Sequence, residues 1–325
     1  MSNLYPLKLE PKFSQKLWGG GGLADFLNLE DEGDEPLGEV WLVYAENRVT
    51  NGDLTGKTLA EVAETHGADL LGSLSVERYG TQFPLLAKFI GADKPLSIQV
   101  HPDDAYAKEH EAGSGYLGKT EAWVILEAKS DATIIWGFKD EMTKEEVRRA
   151  IEEERLEPHL NVVPISAGDV IYNPAGTLHA IGAGTLLFEI QQSSDLTYRL
   201  YDYGRRDASG STRELHVDKA LDVLDLTAGE RAKVESEALT ETKTQLLWAE
   251  HFAAERWQVS GEQNEEVSKT SLEILTATEG EMKLRAGGEE VSLSKGETVV
   301  LPASLGEYVL SGEGVVLRCF VPELR

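Results

Sequence analysis

One segment of the chain combines the alternation of a β-strand with a pair of possible metal ligands, and it reads Lys94-Pro95-Leu96-Ser97-Ile98-Gln99-Val100-His101-Pro102. Successive side chains of a strand point to opposite faces of its sheet. Gln99 and His101 therefore share one face, while Ile98 and Val100 pack on the other. The segment predicts a strand that presents two ligand-forming side chains toward a single cavity.

Two further segments supply candidate ligands. Glu121 lies in Gly118-Lys119-Thr120-Glu121-Ala122-Trp123, and His179 lies in Pro174-Ala175-Gly176-Thr177-Leu178-His179-Ala180. Two imidazoles, a carboxylate and a carboxamide oxygen form a nitrogen and oxygen site that suits zinc, with manganese, iron or cobalt as substitutes. The set contains no cysteine, which disfavours a purely structural zinc site.

Composition limits the possible functions. The 325 residues include 57 acidic and 31 basic side chains, for a formal charge of −26. This charge disfavours binding to nucleic acid and to anionic membranes. The single cysteine, Cys319, cannot form an intramolecular disulfide, and the N-terminal residues lack the apolar run of a secretion signal, so we expect a cytoplasmic protein. No run approaches the roughly 18 apolar residues of a membrane span.

Short runs with strand character dominate the chain, and their separation by Gly, Pro and Asn is typical of antiparallel sandwich or barrel sheets. They are residues 38–44, 95–100, 122–126, 133–136, 169–172, 185–191 and most of the chain from 272 onward. Helices are fewer. Thr58-Leu59-Ala60-Glu61 and Thr143-Lys144-Glu145-Glu146 have the pattern of a capping box, and a third helix is predicted to carry Leu215, Ala220, Leu221 and Leu224.

The chain also contains a weak internal repeat. Gly168-Asp169-Val170-Ile171-Tyr172-Asn173-Pro174-Ala175 resembles Gly296-Glu297-Thr298-Val299-Val300-Leu301-Pro302-Ala303, and in this register His179 falls opposite Glu307. We interpret the pair as two related β-barrels: residues 1–235 carry the metal ligands, and residues 236–325 have lost them. Chance similarity between two turn-and-strand signals is the alternative, because such signals are common.

Four motifs carry a resemblance to a known family. They are residues 94–102, Gly118-Lys119-Thr120-Glu121, residues 174–182, and Glu189-Ile190-Gln191-Gln192-Ser193-Ser194-Asp195-Leu196-Thr197-Tyr198-Arg199-Leu200-Tyr201-Asp202-Tyr203. In this order they resemble the motifs of type I mannose-6-phosphate isomerases of the cupin superfamily, in the short bacterial form. The resemblance implies a mainly β fold of two cupin-like (jelly-roll) β-barrels with a few inserted α-helices. It also implies a monomer with one zinc ion per chain, held by Gln99, His101, Glu121 and His179.

The implied activity interconverts mannose 6-phosphate and fructose 6-phosphate through a cis-enediolate, with Lys119 and Arg199 as catalytic residues. Lys119 lies two residues before Glu121, so both side chains face one cavity if the segment is extended; the alternative is an ordinary surface lysine. Arg199 takes the place of a proposed catalytic arginine of the family and would stabilise negative charge on the enediolate. The alternative for Arg199 is an ion pair with Asp195 or Asp202.

The same resemblance suggests residues for substrate binding. Trp18, followed by four glycines, is predicted to lie in a loop near the site, where its ring would pack against one face of the sugar. A plain flexible turn is an equally good interpretation of this segment. Glu39 fits the Gly-Glu-x-Trp segment of the family, and Lys94 and Ser97 are candidates for the phosphate end. The remaining histidines are interpreted as ordinary core or surface residues, and they are His66, His110, His159, His216 and His251.

Some questions stay open at the level of sequence. The base that moves the proton between C1 and C2 has three candidates, namely a metal-activated water, Lys119 and a nearby carboxylate. Two other functions compete with the isomerase. An iron-dependent cupin oxygenase would use the same ligands, but the basic set of Lys94, Lys119 and Arg199 favours an anionic polyol. A non-catalytic sugar-phosphate-binding cupin would bind ligand without turnover.

Overall fold

The computed structural model describes residues 4–29, 36–206, 210–229 and 231–324, and it is mainly β. The α-helices are short, and they are α1 (Gly21–Leu27), α2 (Leu59–His66), α3 (Ala68–Leu71), α4 (Ser73–Tyr79), α5 (Asp104–His110), α6 (Lys144–Glu152) and α7 (Val217–Val223). Single turns of 3-10 helix lie at Gly52–Leu54, Ala112–Ser114 and Glu157–His159.

The strands pair in antiparallel fashion, and many neighbours in a sheet are distant in the chain. In chain order they are β1 (Leu7–Lys8), β2 (Lys12–Gln15), β3 (Leu37–Val43), β4 (Leu85–Ala92), β5 (Ile98–Val100), β6 (Glu121–Ala128), β7 (Thr133–Phe138), β8 (Leu160–Pro164), β9 (Val170–Asn173), β10 (His179–Ile181), β11 (Thr185–Gln192), β12 (Tyr198–Tyr201), β13 (Glu237–Ala238), β14 (Lys243–Trp248), β15 (Ala253–Glu266), β16 (Glu273–Ala286), β17 (Glu289–Ser294), β18 (Thr298–Leu301) and β19 (Glu307–Phe320).

Contacts between residues divide the chain into two compact units. The central unit comprises residues 14–39 and 89–234, and the C-terminal unit comprises residues 1–13, 40–88 and 235–325. The C-terminal unit therefore includes two segments from the first part of the chain. The division into domains at residues 1–235 and 236–325 stays a prediction.

The central unit contains a five-stranded sheet of order β12-β5-β10-β7-β8, and a second sheet in which β6 lies between β11 and β9. Ile98 and Val100 of β5 are fully buried in a core that also contains Phe138 and Leu178, because their face of the strand packs inward. Gln99, on the opposite face of β5, is only half-buried. The alternation predicted for this segment is confirmed, and it sets the direction of the candidate ligands.

The C-terminal unit is built on a sheet of order β1-β18-β16-β19-β15-β14-β13, with β17 paired to β16. Its strands β15, β16 and β19 are each 14 residues long. Leu275, Leu284, Val299, Leu310 and Val316 belong to its apolar core. Within the described ranges, the sheets are open and do not close into barrels. The prediction of a mainly β fold with jelly-roll units is confirmed at the level of fold class.

The two halves of the internal repeat form the same turn. Gly168 and Gly296 both have positive φ angles, of 91° and 87°, which glycine adopts without steric cost. The backbone N–H of Gly168 donates to the carbonyl of Ile125 at 2.8 Å, and that of Gly296 donates to the carbonyl of Ala277 at 2.8 Å. The repeat is therefore a shared piece of structure.

The strands beside these turns pair in equivalent registers. Glu121, the first residue of β6, lies opposite Asn173 at the end of β9. Glu273, the first residue of β16, lies opposite Leu301 at the end of β18. Because Asn173 and Leu301 are matched residues of the repeat, Glu273 is the positional counterpart of Glu121.

Most predicted elements are present, with three corrections. The capping boxes of Thr58 and Thr143 are formed and open α2 and α6. The third predicted helix begins only at Val217, and Leu215 is 42% exposed ahead of it. The strand predicted at 95–100 is limited to Ile98–Val100, because Pro95 cannot donate to a ladder. Gly21 opens α1, so the glycine run is not wholly a loop.

Strands β4 and β15 lay outside the predicted runs. None of the described helices is long and apolar enough to cross a membrane.

Candidate metal centre and active site

His101, Glu121 and His179 converge in the central unit. Their ligand-forming atoms all lie within 4.8 Å of one another, and all three residues are buried. Nε2 of His101 is 3.4 Å from Oε2 of Glu121, and Nε2 of His179 is 3.2 Å from Oε1. His101 follows β5, Glu121 opens β6 and His179 opens β10, so three strand ends bring these groups together.

Backbone carbonyls orient both imidazoles of this cluster. Nδ1 of His101 lies 2.8 Å from the carbonyl oxygen of Leu196, and Nδ1 of His179 lies 2.8 Å from that of Thr177. A carbonyl oxygen only accepts hydrogen bonds, so each Nδ1 carries a proton and Nε2 is the nitrogen that can bind a metal. This outer set of hydrogen bonds is typical of histidines that bind a metal through Nε2.

Gln99 lies beside the same cluster. Antiparallel pairing of β5 with β10 places Gln99 directly opposite His179. Its side-chain nitrogen is 3.5 Å from Nε2 of His179. The structure thus brings all four predicted ligands to one place, and the role of Gln99 as a ligand stays a prediction.

Lys119 is the cation nearest to the cluster. It is only 4% exposed, and its Nζ forms an ion pair with Glu121 and donates to Nε2 of His101 at 2.9 Å. Nζ also lies 4.0 Å from Oε1 of Glu189. The structure therefore excludes an ordinary surface position for Lys119, which was the alternative.

Burial and charge shift the pKa values of the cluster. Burial would raise the pKa of Glu121, but the Lys119 ammonium holds it well below its usual range. Burial and the Lys119 ammonium lower the pKa of His101 to about 3. The cluster thus presents an ionised carboxylate and a neutral imidazole at His101, which are the protonation states that a metal requires.

Arg199 lies on β12, opposite Gln99 of the neighbouring strand β5. Its Nε donates to Oγ of Ser97 at 3.2 Å, and its Nη1 donates to the carbonyl of Glu214 at 2.9 Å. Burial, followed by the nearby Arg213, lowers its pKa from the ordinary value.

Neither carboxylate suggested as a partner of Arg199 forms an ion pair with it in the described part of the chain. Asp195 is exposed. The Asp202 carboxylate instead accepts hydrogen bonds from Arg205 and Arg213. The structure therefore favours an Arg199 guanidinium that is held by neutral groups over one that is paired with a carboxylate.

The predicted substrate-binding residues have different surroundings. Trp18 is 3% exposed and packs in an apolar core with Ile90 and Leu96. Glu39 is 8% exposed, and its carboxylate lies 3.6 Å from Nζ of Lys16. Ser97 is buried against Arg199, and Lys94 is exposed. Their roles in substrate binding stay predictions.

Sequence reasoning missed two buried amides that flank Glu121. Strand pairing places Asn173 of β9 and Gln191 of β11 directly opposite Glu121, on either side of β6. Residues directly opposite in antiparallel strands project to the same face, so both amides face the cluster. Neither polar atom of the Asn173 amide has a hydrogen-bond partner among the described residues. The Glu-x-Gln alternation of residues 189–191 is a signal that could have identified Gln191.

His216 is a second residue whose position the sequence did not predict. Its ring Nδ1 accepts a hydrogen bond from the backbone N–H of Arg199 at 3.2 Å. The backbone N–H of His216 donates to the backbone carbonyl of Arg199 at 2.8 Å. His216 therefore holds the backbone of the predicted catalytic arginine. It was interpreted as an ordinary histidine because its segment has no ligand pattern.

The mainly β fold and the buried imidazole and carboxylate cluster together define a cupin with a candidate metal centre. Comparison with known proteins narrows this class. A family model described as the catalytic domain of type I phosphomannose isomerase matches residues 6–122, and one described as the cupin domain of mannose-6-phosphate isomerase matches residues 242–321.

Relatives match along nearly the whole chain. Mannose-6-phosphate isomerase ManA of Bacillus subtilis is 40% identical over 325 residues, covering 98% of this chain and 99% of the relative. The mannose-6-phosphate isomerase of Streptococcus mutans is 37% identical, covering 95% of this chain and 96% of that protein. The chain therefore belongs to the type I mannose-6-phosphate isomerase family.

Solved structures agree with this assignment. The crystal structure of the mannose 6-phosphate isomerase from Bacillus subtilis matches with a TM-score of 0.85 and 35% identity, covering 97% of this chain and 99% of that one. A zinc-bound mannose 6-phosphate isomerase matches with a TM-score of 0.76 and 18% identity, covering 98% of this chain and 100% of that one. At that identity the second match supports the fold alone.

Proposed function

We propose that the protein is a zinc-dependent aldose-ketose isomerase that interconverts mannose 6-phosphate and fructose 6-phosphate through a cis-enediolate. The observation that carries this proposal is the buried convergence of His101, Glu121 and His179, with the Lys119 ammonium against it. Membership of the mannose-6-phosphate isomerase family supplies the substrate class. The strongly acidic chain must bind an anionic substrate through local positive charge, and Lys119 and Arg199 provide it.

The residues of the cluster fit a divalent metal. Both imidazoles direct Nε2 toward Glu121, although Nε2 of His101 accepts a hydrogen bond from Lys119 that a metal would have to displace. Oε1 of Glu121 accepts no hydrogen bond from the described residues although it is buried. A buried carboxylate oxygen without a partner costs about 1–3 kcal/mol, which a cation would offset. One zinc ion per chain would be held by Gln99, His101, Glu121 and His179. When bound, zinc supplies Lewis-acid polarisation of the substrate oxygens.

The charged side chains stabilise the negative charge that develops as the carbon-bound proton leaves. Arg199 is always charged, and its planar guanidinium is held by Ser97 and Glu214, so its position is set before substrate binds. Lys119 is buried and donates both to His101 and to Glu121. Its three N–H donors allow it to bind a substrate oxygen or to pass a proton to one.

The outer part of the site would bind the rest of the sugar phosphate. Lys94 is exposed and Ser97 lies under Arg199, which is consistent with a phosphate at this end. Trp18 and Glu39 are proposed to bind the sugar because of the resemblance to the family, although both are buried. We further propose that the enzyme acts as a monomer in the cytoplasm.

A coupled assay tests the proposal. Formation of fructose 6-phosphate from mannose 6-phosphate is measured before chelation, after chelation, and after addition of zinc, manganese, iron or cobalt. We expect activity to disappear on chelation and to return best with zinc. Loss of activity that no divalent metal restores would contradict the role of the metal.

Two further measurements, of mannose 6-phosphate binding and of oxygen consumption, separate the competing functions. A sugar-phosphate-binding cupin would bind mannose 6-phosphate without turnover in the metal-loaded protein. An iron-dependent oxygenase would consume oxygen when loaded with iron. Either outcome would contradict the proposal that the protein is an isomerase. The buried Lys119 beside the ligands argues against both alternatives, because it provides a hydrogen-bond donor for an anionic intermediate.

A further inference from the structure

The C-terminal unit contains a cavity of about 480 Å³ at the start of β16 and the end of β19. Glu255, Glu273, Glu323 and Arg318 supply its charged lining, and Trp248 and Phe320 supply its aromatic lining. Ser268, Thr270 and Ser271 contribute hydroxyl groups. Its volume falls in the range of roughly 300–1,000 Å³ that is common for small-molecule sites.

The cavity occupies the position that corresponds to the metal centre of the central unit. Glu273 is the counterpart of Glu121, as the pairing of β16 with β18 shows. Glu121 lies opposite Gln191 of β11, and Glu273 lies opposite Phe320 of β19. The same pair of strands therefore lines both sites, and Phe320 stands where the central unit has Gln191.

Two further positions follow from the same register. Ser271, two residues before Glu273, corresponds to Lys119, two residues before Glu121. Arg318, two residues before Phe320, corresponds to Glu189 of β11. The C-terminal unit thus replaces the lysine by a hydroxyl and the second carboxylate by a guanidinium.

The guanidinium neutralises the carboxylates of the C-terminal cavity. Arg318 donates to Glu255 at 3.0 Å and to Glu273 at 2.5 Å. The side chains of Glu255 and Glu273 are only 8% and 1% exposed. Because buried carboxylates are stable only when paired, the covalently attached cation takes the place of a bound metal here. With Glu323 at the rim, the lining has three carboxylates and one guanidinium, a net charge of −2, which disfavours an anionic ligand.

We propose that this cavity is a second ligand site that binds a neutral monosaccharide or polyol. The Trp248 and Phe320 rings lie 5.6 Å apart in an edge-to-face arrangement and offer an apolar surface for sugar C–H groups. The half-buried Thr270 and the exposed Ser268 offer hydroxyls at the opening. Nε of Arg318 is a donor without a hydrogen-bond partner among the described residues. Donors, acceptors and an aromatic wall above the ion-paired Glu255, Glu273 and Arg318 match a polyhydroxy compound.

The test uses the full-length protein and three probes, namely D-mannose, mannitol and mannose 6-phosphate. Binding is measured by saturation-transfer NMR and by tryptophan fluorescence, in the wild type and in His179→Ala. We expect the two neutral probes to bind His179→Ala with unchanged affinity, because the second cavity does not involve that residue. Mannose 6-phosphate should lose its binding in the same variant.

Matched variants assign the binding to the cavity. Trp248→Ala and Thr270→Val should each weaken the neutral probes by about tenfold. Thr240→Val is the control, because Thr240 is an exposed hydroxyl of the same unit that does not line the cavity. Retained isomerase activity would show that each variant is folded. The proposal is overturned if neutral probes show no saturable binding, if binding disappears in His179→Ala, or if Trp248→Ala and Thr270→Val bind as well as Thr240→Val.

Discussion

Replacement of Arg199 by alanine tests the proposed stabilisation of the enediolate most directly. The guanidinium makes two hydrogen bonds, to Ser97 at 3.2 Å and to the carbonyl of Glu214 at 2.9 Å. At about 1 kcal/mol each, their loss lowers the free energy of unfolding by up to about 2 kcal/mol. A domain of ordinary stability tolerates this loss, since folded proteins have about 5–15 kcal/mol. We therefore expect a folded variant.

The effect on catalysis should be larger than the effect on stability. Removal of one preorganised group that stabilises a developing negative charge typically lowers kcat by about 10²–10³, or about 2.7–4 kcal/mol. Because Arg199 forms no hydrogen bond or ion pair with His101, Glu121 or His179 among the described residues, metal content should stay the same as in the wild type. The coupled assay gives kcat and KM, and elemental analysis gives the metal.

The outcomes for Arg199→Ala are distinct. A fall in kcat with little change in KM supports an interaction made in the transition state. A rise in KM with unchanged kcat would instead place Arg199 at the phosphate end of the substrate. Full activity, or loss of the metal together with activity, would refute the reasoning. Arg155→Ala is the control, because the side chain of Arg155 is 76% exposed and lies on the surface.

Three further predictions concern the metal, pH and a helix end. His179→Ala should lose metal and activity together, whereas His66→Ala should keep both. Elemental analysis measures the metal and the coupled assay measures activity. Metal that stays bound in His179→Ala would contradict the role of His179 as a ligand. Asp202→Asn should lower the free energy of unfolding at pH 7 by roughly 1.5–3 kcal/mol, because hydrogen bonds to a charged group are lost. Burial would raise the pKa of Asp202, but hydrogen bonds from Arg213 and Arg205 bring it below its ordinary value of 3.8. The contribution of Asp202 is therefore present above about pH 4 and is lost as pH falls through the lower folded-state pKa, so denaturation curves of variant and wild type should converge in acid. Thr143→Ala should cost about 1 kcal/mol by removing the capping box of α6, and an unchanged denaturation midpoint would contradict this.

The sequence predicted the convergence of the candidate ligands where side-chain alternation and ligand chemistry coincide. Gln99 and His101 share a face because β5 is extended there, and Lys119 reaches Glu121 for the same reason. The capping boxes were also predictable, since each depends on residues three apart. Local patterns of this kind require no knowledge of the distant parts of the chain.

Other features depend on contacts between residues far apart in the chain. Strand β4 is buried along its whole length, so it lacks the alternation that predicts a half-buried strand. The sequence showed that Asn173 belongs to the repeat. Its position beside Glu121 depends on the pairing of β6 with β9, which brings together two residues that are 52 positions apart in the chain. His216 meets Arg199 through a backbone contact that has no sequence pattern.

The Arg318 cluster has a consequence for cells that are short of metal. A coordinated ion can dissociate or be captured by a chelator, whereas a guanidinium on its own side chain cannot leave. If the central unit holds zinc as proposed, depletion of divalent ions would remove that cation, whereas the ion pairs of Arg318 in the C-terminal unit would stay in place. Starvation for zinc would then stop turnover without breaking these ion pairs, and added zinc should restore activity.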